Sequence, residues 1–258
     1  MAKNTYNCGE TEIGSSSPPS SLPVPSLSEV RSPAPAPVGD DLDPPGVRRA
    51  MRSMVVKGLL TLAVFLLAGN LAILAMSWWA RGTTTGIEVD NPPSIGNFEA
   101  IDARVWRGSA PGAAGYRELA ARGVTTVVDL RAEDDIHVDR ALLDRLGIRL
   151  VALPIRDGQV PGADELNRFL EAASDREGIV FVHCGAGVGR TGTMAAAYLV
   201  ATGQGNNLGA LRKNLAVGPP SLEQIAFVAG GFERPPFAVT AVSRTLDAPR
   251  RIWKNLLG

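Results

Sequence analysis

The sequence has few of the residues that metal sites and disulfide frameworks need. Two of its 258 residues are cysteine, Cys8 and Cys184, and two are histidine, His137 and His183. The cysteines lie in segments of different composition, so a disulfide framework is not expected. No second cysteine lies near either histidine, so the ligand set of a structural zinc site is missing. The sequence therefore predicts no metal site and no cofactor.

An excess of charge of either sign is also missing. The chain has 26 basic and 26 acidic side chains, and its formal net charge is zero. Proteins that bind nucleic acid present a basic surface to the phosphate backbone. DNA and RNA are therefore not expected as partners.

Aromatic residues are scarce in the N-terminal part of the chain, 1–50, which is rich in Ser, Pro, Gly and Asp. Such a composition buries too little apolar surface to offset the entropy lost on ordering, so we predict a disordered tail. The Pro-x-Pro steps at 33–37 are typical either of a ligand for proline-recognising domains or of a solvated tail without a specific partner. Any partner of this tail is unknown.

A run without charged residues follows, GLLTLAVFLLAGNLAILAMSWWA at 58–80. At about 1.5 Å per residue, a helix of this length crosses a hydrocarbon core of about 30 Å. We predict a transmembrane helix over 56–80, with Trp78 and Trp79 as interfacial anchors. The alternative is a buried core helix. A cleaved signal peptide does not fit, because both the run and the tail before it are too long.

Beyond a Thr-, Gly- and Pro-rich linker at 81–97, runs of β-branched residues alternate with helical spacing. We predict strands at 105–107, 125–130, 148–153 and 179–183, and helices at 112–122, 136–146 and 163–173, with two more helices later. Short connections between alternating strands and helices are typical of an α/β fold, with a mostly parallel central sheet flanked by helices. Ser221 and Gln224 are spaced as a capping box.

The C-terminal segment, 236–258, carries apolar and basic residues at helical spacing. Its apolar residues, which fall on one face, are Ile252, Trp253, Leu256 and Leu257. Three basic residues lie beside them: Arg250, Arg251 and Lys254. This pattern is typical of a helix at a membrane surface, but a frayed terminal helix or one docked on the core explains it as well.

The last predicted strand, IVFVH, runs directly into CGAGVGRTG and an Ala-rich helix. Glycines at three alternate positions allow a tight turn whose N–H groups point inward, and the helix adds the positive end of its dipole. The sequence therefore predicts a phosphate-binding loop. Its members are Gly185, Ala186, Gly187, Val188, Gly189 and Arg190, and the Arg190 guanidinium can grip two phosphate oxygens.

Cys184 stands at the base of this loop, where the same donors favour its thiolate, the nucleophilic form of cysteine. His183 is expected to shape the loop by bonding to backbone, and Thr191 to donate to the sulfur. The alternative, a buried structural cysteine, does not account for these neighbours. Dinucleotide and nucleoside-triphosphate loops do not fit either, because the third glycine of the first and the Gly-Lys pair of the second are missing.

The run His183-Cys184 through Arg190-Thr191 resembles the His-Cys-x5-Arg-Thr/Ser signature of the protein tyrosine phosphatase superfamily, and 98–235 is similar to its compact dual-specificity branch. The resemblance implies a phosphatase domain there, with a general-acid aspartate in a Pro-rich turn before the loop. In this sequence that residue is Asp157. An ordinary turn aspartate is the alternative, with Asp129, Asp134 and Asp135 as other candidates for the acid.

Three further residues have roles to be decided between catalysis and structure. Asp129 and Arg131 share a strand face and are expected to pair in support of the loop. Gln224 either orients the hydrolytic water, by analogy with the family, or only caps its helix.

The expected reaction is hydrolysis of phosphate monoesters through a phosphocysteine, on phosphotyrosine and/or phosphoserine/threonine proteins. Ala186 and Val188 are small and neutral, which argues against polyphosphoinositide lipids. Two alternatives stay open: a membrane-tethered phosphate-binding scaffold without turnover, or a phosphatase of small phosphate esters or inositol phosphates.

Charges flanking the apolar run indicate its orientation. Arg48, Arg49, Arg52 and Lys57 precede it and Arg81 alone follows directly, which favours a cytoplasmic N-terminus and an extracytoplasmic catalytic domain. A thiolate enzyme outside the cytoplasm is exposed to oxidation, so the opposite orientation stays open.

Overall fold

The computed structural model describes residues 45–82, 90–132, 139–174 and 178–257, with side chains described up to 249. Cys8, His137, Asp134 and Asp135 lie outside the described residues, as do the Pro-x-Pro steps and most of the predicted disordered tail. The side chains that suggested an amphipathic face at the C-terminus, those from 250 onward, also lie outside them.

The described residues form eight helices and five strands. In chain order these are α1 (Pro45–Arg81), β1 (Glu99–Ala100), β2 (Val105–Gly108), α2 (Ala113–Ala121), β3 (Val124–Arg131), α3 (Arg140–Arg145), β4 (Arg149–Ile155), α4 (Ala163–Ser174), β5 (Ile179–His183), α5 (Gly189–Ala201), α6 (Asn207–Val217), α7 (Leu222–Ala229) and α8 (Phe237–Leu257).

The strands form one sheet in the order β1-β2-β5-β3-β4. β5 pairs in parallel with β2 and β3, and β3 pairs in parallel with β4, whereas β1 is antiparallel to β2. The predicted α/β fold with a mostly parallel sheet is confirmed. The two-residue strand β1 was not predicted, because two residues are too few to show the alternation that marks a strand.

Apolar layers cover both faces of the sheet. Val128, Val180 and Val182 face a core built with α4, α5, α6 and α7. Val127 and Phe181, from alternate positions of the same strands, face a second core built with α2 and α3. Burial on both faces explains why these strands read as continuous apolar runs.

The parallel strands end at a common edge. In the central pairings His183 lies opposite Gly108 of β2 and Asp129 of β3. Segments that follow the carboxyl ends of neighbouring parallel strands meet there, which is where α/β folds bind ligands. The loop after β5 and the turn after β4 therefore open on the same side of the domain.

Helix α1 is long and apolar enough to cross a membrane by length and composition. It begins with Pro45, before the predicted start at 56, because proline fits the first position of a helix and the basic residues that follow continue it. Along its last turns Ile73, Ser77 and Ala80 are buried on one face. Ser77 donates to the carbonyl of Leu215 in α6 at 2.7 Å.

Two segments at the ends of the domain pack against it. Pro92 and Ile95, in the predicted linker 81–97, are buried, so the domain begins before 98. In α8, Ser243, Leu246 and Asp247 are buried, and the Ser243 hydroxyl accepts from the backbone N–H of Glu223 at 3.0 Å. The first half of α8 is therefore docked on the domain.

Candidate active site

The loop between β5 and α5 is held from outside by donors to its carbonyls. Cys184, at the end of β5, is 3 % exposed. The carbonyl of Gly185 accepts from the N–H of Ala110 at 3.0 Å, and that of Ala186 accepts from the Asn97 amide at 2.8 Å. A loop whose carbonyls are engaged on its outer side has its N–H groups left to line the inner side, as an anion-binding nest requires.

Arg107, a buried residue of β2, holds the next two carbonyls. Its Nη2 donates to the carbonyls of Gly187 at 2.8 Å and Val188 at 3.3 Å. The same atom donates to Asn214 Oδ1 at 3.2 Å, and Nη1 lies 3.7 Å from Glu99 Oε2. Burial lowers the pKa of Arg107, and the charges of Glu99 and Cys184 oppose this. One guanidinium therefore connects the sheet, α6 and the loop.

Two loop glycines lie against neighbouring elements, and at Gly187 the backbone itself requires glycine. Gly187 has φ +74°, and a Cβ on it would overlap the backbone of Gly108 and Ser109. A Cβ on Gly189 would lie 2.5 Å from Gln224 Oε1. The loop is thus packed closely against β2 on one side and α7 on the other, which leaves no room for side chains there.

Arg190 lies in the first turn of α5, and its side chain is 2 % exposed. Nη1 donates to the carbonyl of Ile155 at 2.8 Å and of Leu130 at 3.4 Å, at the ends of β4 and β3. Nη2 lies 3.4 Å from Asp157 Oδ1. These contacts hold the guanidinium across the carboxyl edge of the sheet, beside the loop.

Asp157 lies in the turn after β4, and its side chain is 58 % exposed. The turn is anchored to the start of α7, because the Ser221 hydroxyl donates to the carbonyl of Gly158 at 2.8 Å and Gln224 Nε2 donates to that of Gln159 at 2.9 Å. The predicted capping box of Ser221 and Gln224 is confirmed. The Gln224 amide is therefore engaged in structural contacts on both of its atoms.

His183 and Asp129 lie side by side beneath the loop. His183 Nδ1 lies 3.3 Å from the carbonyl of Cys184 and 3.8 Å from Asp129 Oδ1. Burial lowers the pKa of His183 to about 4, and Asp129 opposes this. A neutral imidazole can donate from Nδ1 to the carbonyl, as expected of a residue that shapes the loop.

Asp129 pairs with Arg131, as expected. Arg131 Nε donates to Asp129 Oδ1 at 3.0 Å, and Nη2 donates to Oδ2 at 2.8 Å. Burial raises the pKa of Asp129, but the bonds from Arg131 outweigh it and the net shift is downward. Asp129 is therefore held as a carboxylate by Arg131. The other reserve candidates, Asp134 and Asp135, lie outside the described residues.

Thr191 differs from the expectation. Its hydroxyl is buried and, among the described residues, has no hydrogen-bond partner, so it does not donate to the sulfur in this structure. Its position next to Arg190 in the first turn of α5 keeps it close to the loop, but a role at the sulfur stays a prediction.

A pocket of about 220 Å³ opens over the loop. Its walls come from the turn after β4, the loop, the α6–α7 connection and α8. Its lining includes Asp157, Ala186, Val188, Pro219 and Asp247. The structure thus places the predicted anion-binding loop and Asp157 at one opening.

Arg107, Asn97 and Asn214 were missed by the sequence reasoning. Each contacts residues far away in the chain, so no local spacing reveals it. For Arg107 the burial of all four residues of β2 is the signal that the charge must have a partner, and that burial is visible only in the structure.

Comparison with known proteins agrees with this geometry. Residues 91–230 match the family model described as DSP-PTPase phosphatase fused to NAD+ kinase. The dual specificity protein phosphatase TpbA of Pseudomonas aeruginosa is 36 % identical over 141 residues, which are 54 % of this chain and 61 % of TpbA. A probable chloroplastic NAD kinase of rice is 30 % identical over 107 residues, 39 % of this chain and 11 % of the kinase.

Among solved structures, TpbA in complex with phosphotyrosine is similar at 27 % identity and a TM-score of 0.44, over 62 % of this chain and 94 % of that one. The chain spans about half the length of the curated relatives it matches first, 48 % for TpbA of a second strain. The family model matches more than half of the chain, including the loop after β5 and the turn after β4. The chain therefore belongs to the cysteine-based dual-specificity phosphatase family.

Proposed function

We propose that this protein hydrolyses phosphate monoesters through a phosphocysteine on Cys184. The observation that carries the proposal is the 3.4 Å separation of the Asp157 carboxylate and the Arg190 guanidinium beside the loop. Asp157 lines the pocket together with the loop residues Ala186, Val188 and Gly189, and Cys184 and Arg190 lie at the two ends of this loop. An acid, an anion clamp and a nucleophile are what cleavage of a phosphate ester requires.

In the first step the Cys184 thiolate attacks phosphorus, so that a P–S bond forms and the P–O bond to the leaving group breaks. Asp157, in its protonated form, gives its proton to the leaving oxygen. The loop N–H groups of 185–190 and the Arg190 guanidinium bind the non-bridging oxygens, and they stabilise the charge that develops there.

In the second step water attacks the phosphocysteine. Asp157, now a carboxylate, takes a proton from this water, the P–S bond breaks, and phosphate leaves as the thiolate is restored. His183 keeps its role in shaping the loop, because burial makes it a poor proton carrier near neutral pH. No metal or cofactor is needed for either step.

For substrates we propose phosphotyrosine and/or phosphoserine/threonine proteins. The similarity to a dual specificity protein phosphatase supports this assignment. The small pocket with the apolar lining of Ala186, Val188 and Pro219 also supports it, because highly charged ligands are matched by basic side chains.

The turnover test uses para-nitrophenyl phosphate and phosphopeptides carrying each phosphorylated residue. We expect hydrolysis that Cys184→Ser abolishes and Arg190→Ala lowers by about a thousandfold, as loss of a donor to transition-state charge does. Ser174→Ala, on an exposed helix end away from the site, is the matched control. Phosphopeptide binding without turnover by the wild type would contradict the proposal and favour a scaffold.

We also propose that α1 anchors the protein in a membrane, with the N-terminus in the cytoplasm and the catalytic domain outside. The length of the apolar helix and the basic residues before it support this. Protease applied to intact cells should then digest the domain. Digestion only after lysis would reverse the orientation, and recovery of the protein in the soluble fraction would contradict the anchor.

A further inference from the structure

A cavity separate from the active-site pocket lies behind the phosphate-binding loop. Its volume is about 460 Å³, and the end of α1, strand β1 and helices α5 and α6 form its walls. Three cationic side chains and one carboxylate line it: Arg81, Arg107, Lys213 and Glu99. The excess of positive charge makes the cavity attractive to an anion.

Two buried donors on this wall are unsatisfied. Arg107 Nε and Asn214 Nδ2 have no hydrogen-bond partner within the described part of the chain, and their side chains belong to residues only 1 % and 2 % exposed. A buried donor without an acceptor costs about 1–3 kcal/mol, and native proteins hold few of them. An acceptor bound in the cavity next to these donors would remove this cost.

The rest of the lining is apolar apart from Asn97 and Gln204. It includes Phe98, Ile101, Ala195, Leu199 and Val217. Binding sites for small organic molecules have volumes of about 300–1,000 Å³, with mostly apolar walls and a few polar groups that fix the orientation of the ligand. This cavity has both features.

We propose that the cavity binds a small organic carboxylate. The carboxylate accepts from Arg107 Nε and Asn214 Nδ2 and is attracted by Lys213, and the apolar body of the ligand packs against Phe98 and Leu199. The same Arg107 guanidinium donates to the loop carbonyls of Gly187 and Val188. A ligand here therefore contacts a residue that supports the phosphate-binding loop without entering the active site.

The test measures binding of 3-phenylpropionate to the full-length protein in detergent by titration calorimetry, with vanadate present in excess to fill the phosphate-binding loop. We expect saturable binding that 3-phenylpropanol, which has no charge, does not show. Lys213→Glu should weaken binding by at least about tenfold, because a like charge then faces the carboxylate. Arg212→Glu makes the same charge change on the exposed neighbouring position and should leave binding unchanged.

A second variant, Val217→Trp, fills the apolar wall and should lower the affinity similarly while the variant keeps the thermal midpoint of the wild type. The proposal is overturned if the carboxylate shows no saturable heat. It is also overturned if Lys213→Glu and Arg212→Glu bind alike, or if vanadate abolishes binding, since the carboxylate would then occupy the active site. Turnover of aryl phosphate is measured separately, so failure here leaves the catalytic proposal standing.

Discussion

The carboxylate of Asp157 lies 3.4 Å from the guanidinium of Arg190, although the first follows β4 and the second begins α5. The two residues come together because β4 and β5 are parallel and both end at the same edge of the sheet. Arg190 is fixed by the carbonyl of Ile155, and Asp157 stays more than half exposed. A phosphoryl group bound by Arg190 would thus arrive next to an acid that is open to the leaving group.

Asp157→Asn should lower kcat by about a hundredfold or more, since loss of a general acid removes about 10²–10⁴ in rate. The loss should be larger for an alkyl phosphate than for para-nitrophenyl phosphate, whose leaving group needs less protonation. Steady-state kinetics on both esters measures this difference. Asp164→Asn, an exposed change on α4, is the control, and equal losses on both esters would show that Asp157 is not the acid.

Gly187→Ala should disrupt the loop, because the added Cβ meets the backbone of Gly108 and the φ of +74° disfavours any side chain. We expect loss of vanadate binding together with a lower thermal midpoint. Gly185→Ala is a matched comparison for stability, since the nearest atom to its Cβ would be Arg190 Nη2 at 4.0 Å. Equal midpoints for the two variants would contradict the packing of the loop on β2.

Arg107→Met should remove the donors that hold the carbonyls of Gly187 and Val188 and leave Glu99 without its partner. Loss of the donors to the buried carbonyls should cost about 1–3 kcal/mol in the free energy of unfolding. A displaced loop also costs about a hundredfold in kcat/KM. Denaturant unfolding and kinetics measure the two effects, and Arg117→Met on the exposed side of α2 should change neither. Wild-type kinetics in Arg107→Met would contradict its role in holding the loop.

The free energy of unfolding should fall as the pH falls from 6.5 to 4. Burial lowers the pKa of His183 to about 4, so in this window the unfolded chain binds a proton that the folded chain does not. The difference of about 2.5 units between the two pKa values of His183 corresponds to at most about 3 kcal/mol in the free energy of unfolding. Asp129, whose pKa is also lowered, stays ionised through this window and contributes its loss only at lower pH.

His183→Gln isolates this contribution. Denaturant unfolding at several pH values should show a weaker pH dependence in the variant than in the wild type, with the difference confined to the window between the two pKa values of the histidine. If the variant and the wild type lose the same free energy between pH 6.5 and 4, His183 is not neutral in the folded protein.

Residues whose partners are close in sequence were predictable, and those whose partners are distant were not. The loop from Cys184 to Arg190 and the capping box of Ser221 and Gln224 follow from local spacing. Arg107 bonds to Gly187 across the sheet, and the burial of Ser77 depends on α6 packing on α1. Such contacts depend on strand order and helix packing, which one sequence without relatives does not specify.

The start of α1 shows another limit. The apolar run marked the part of the helix that can lie in a membrane, but a helix continues through basic residues as readily as through apolar ones. Hydropathy alone therefore predicts only where the apolar run begins. The proline that begins the helix at 45 lies in the segment predicted as a disordered tail.

The catalytic account depends on a phosphoryl group being carried by the sulfur of Cys184. The most direct measurement is a rapid acid quench of the Asp157→Asn variant during turnover of a ³²P-labelled phosphotyrosine peptide, followed by peptide mapping. We predict that the label is bound to the peptide that contains Cys184 and is missing from the Cys184→Ser variant. Turnover without label on this peptide, or label on another residue, would contradict the account.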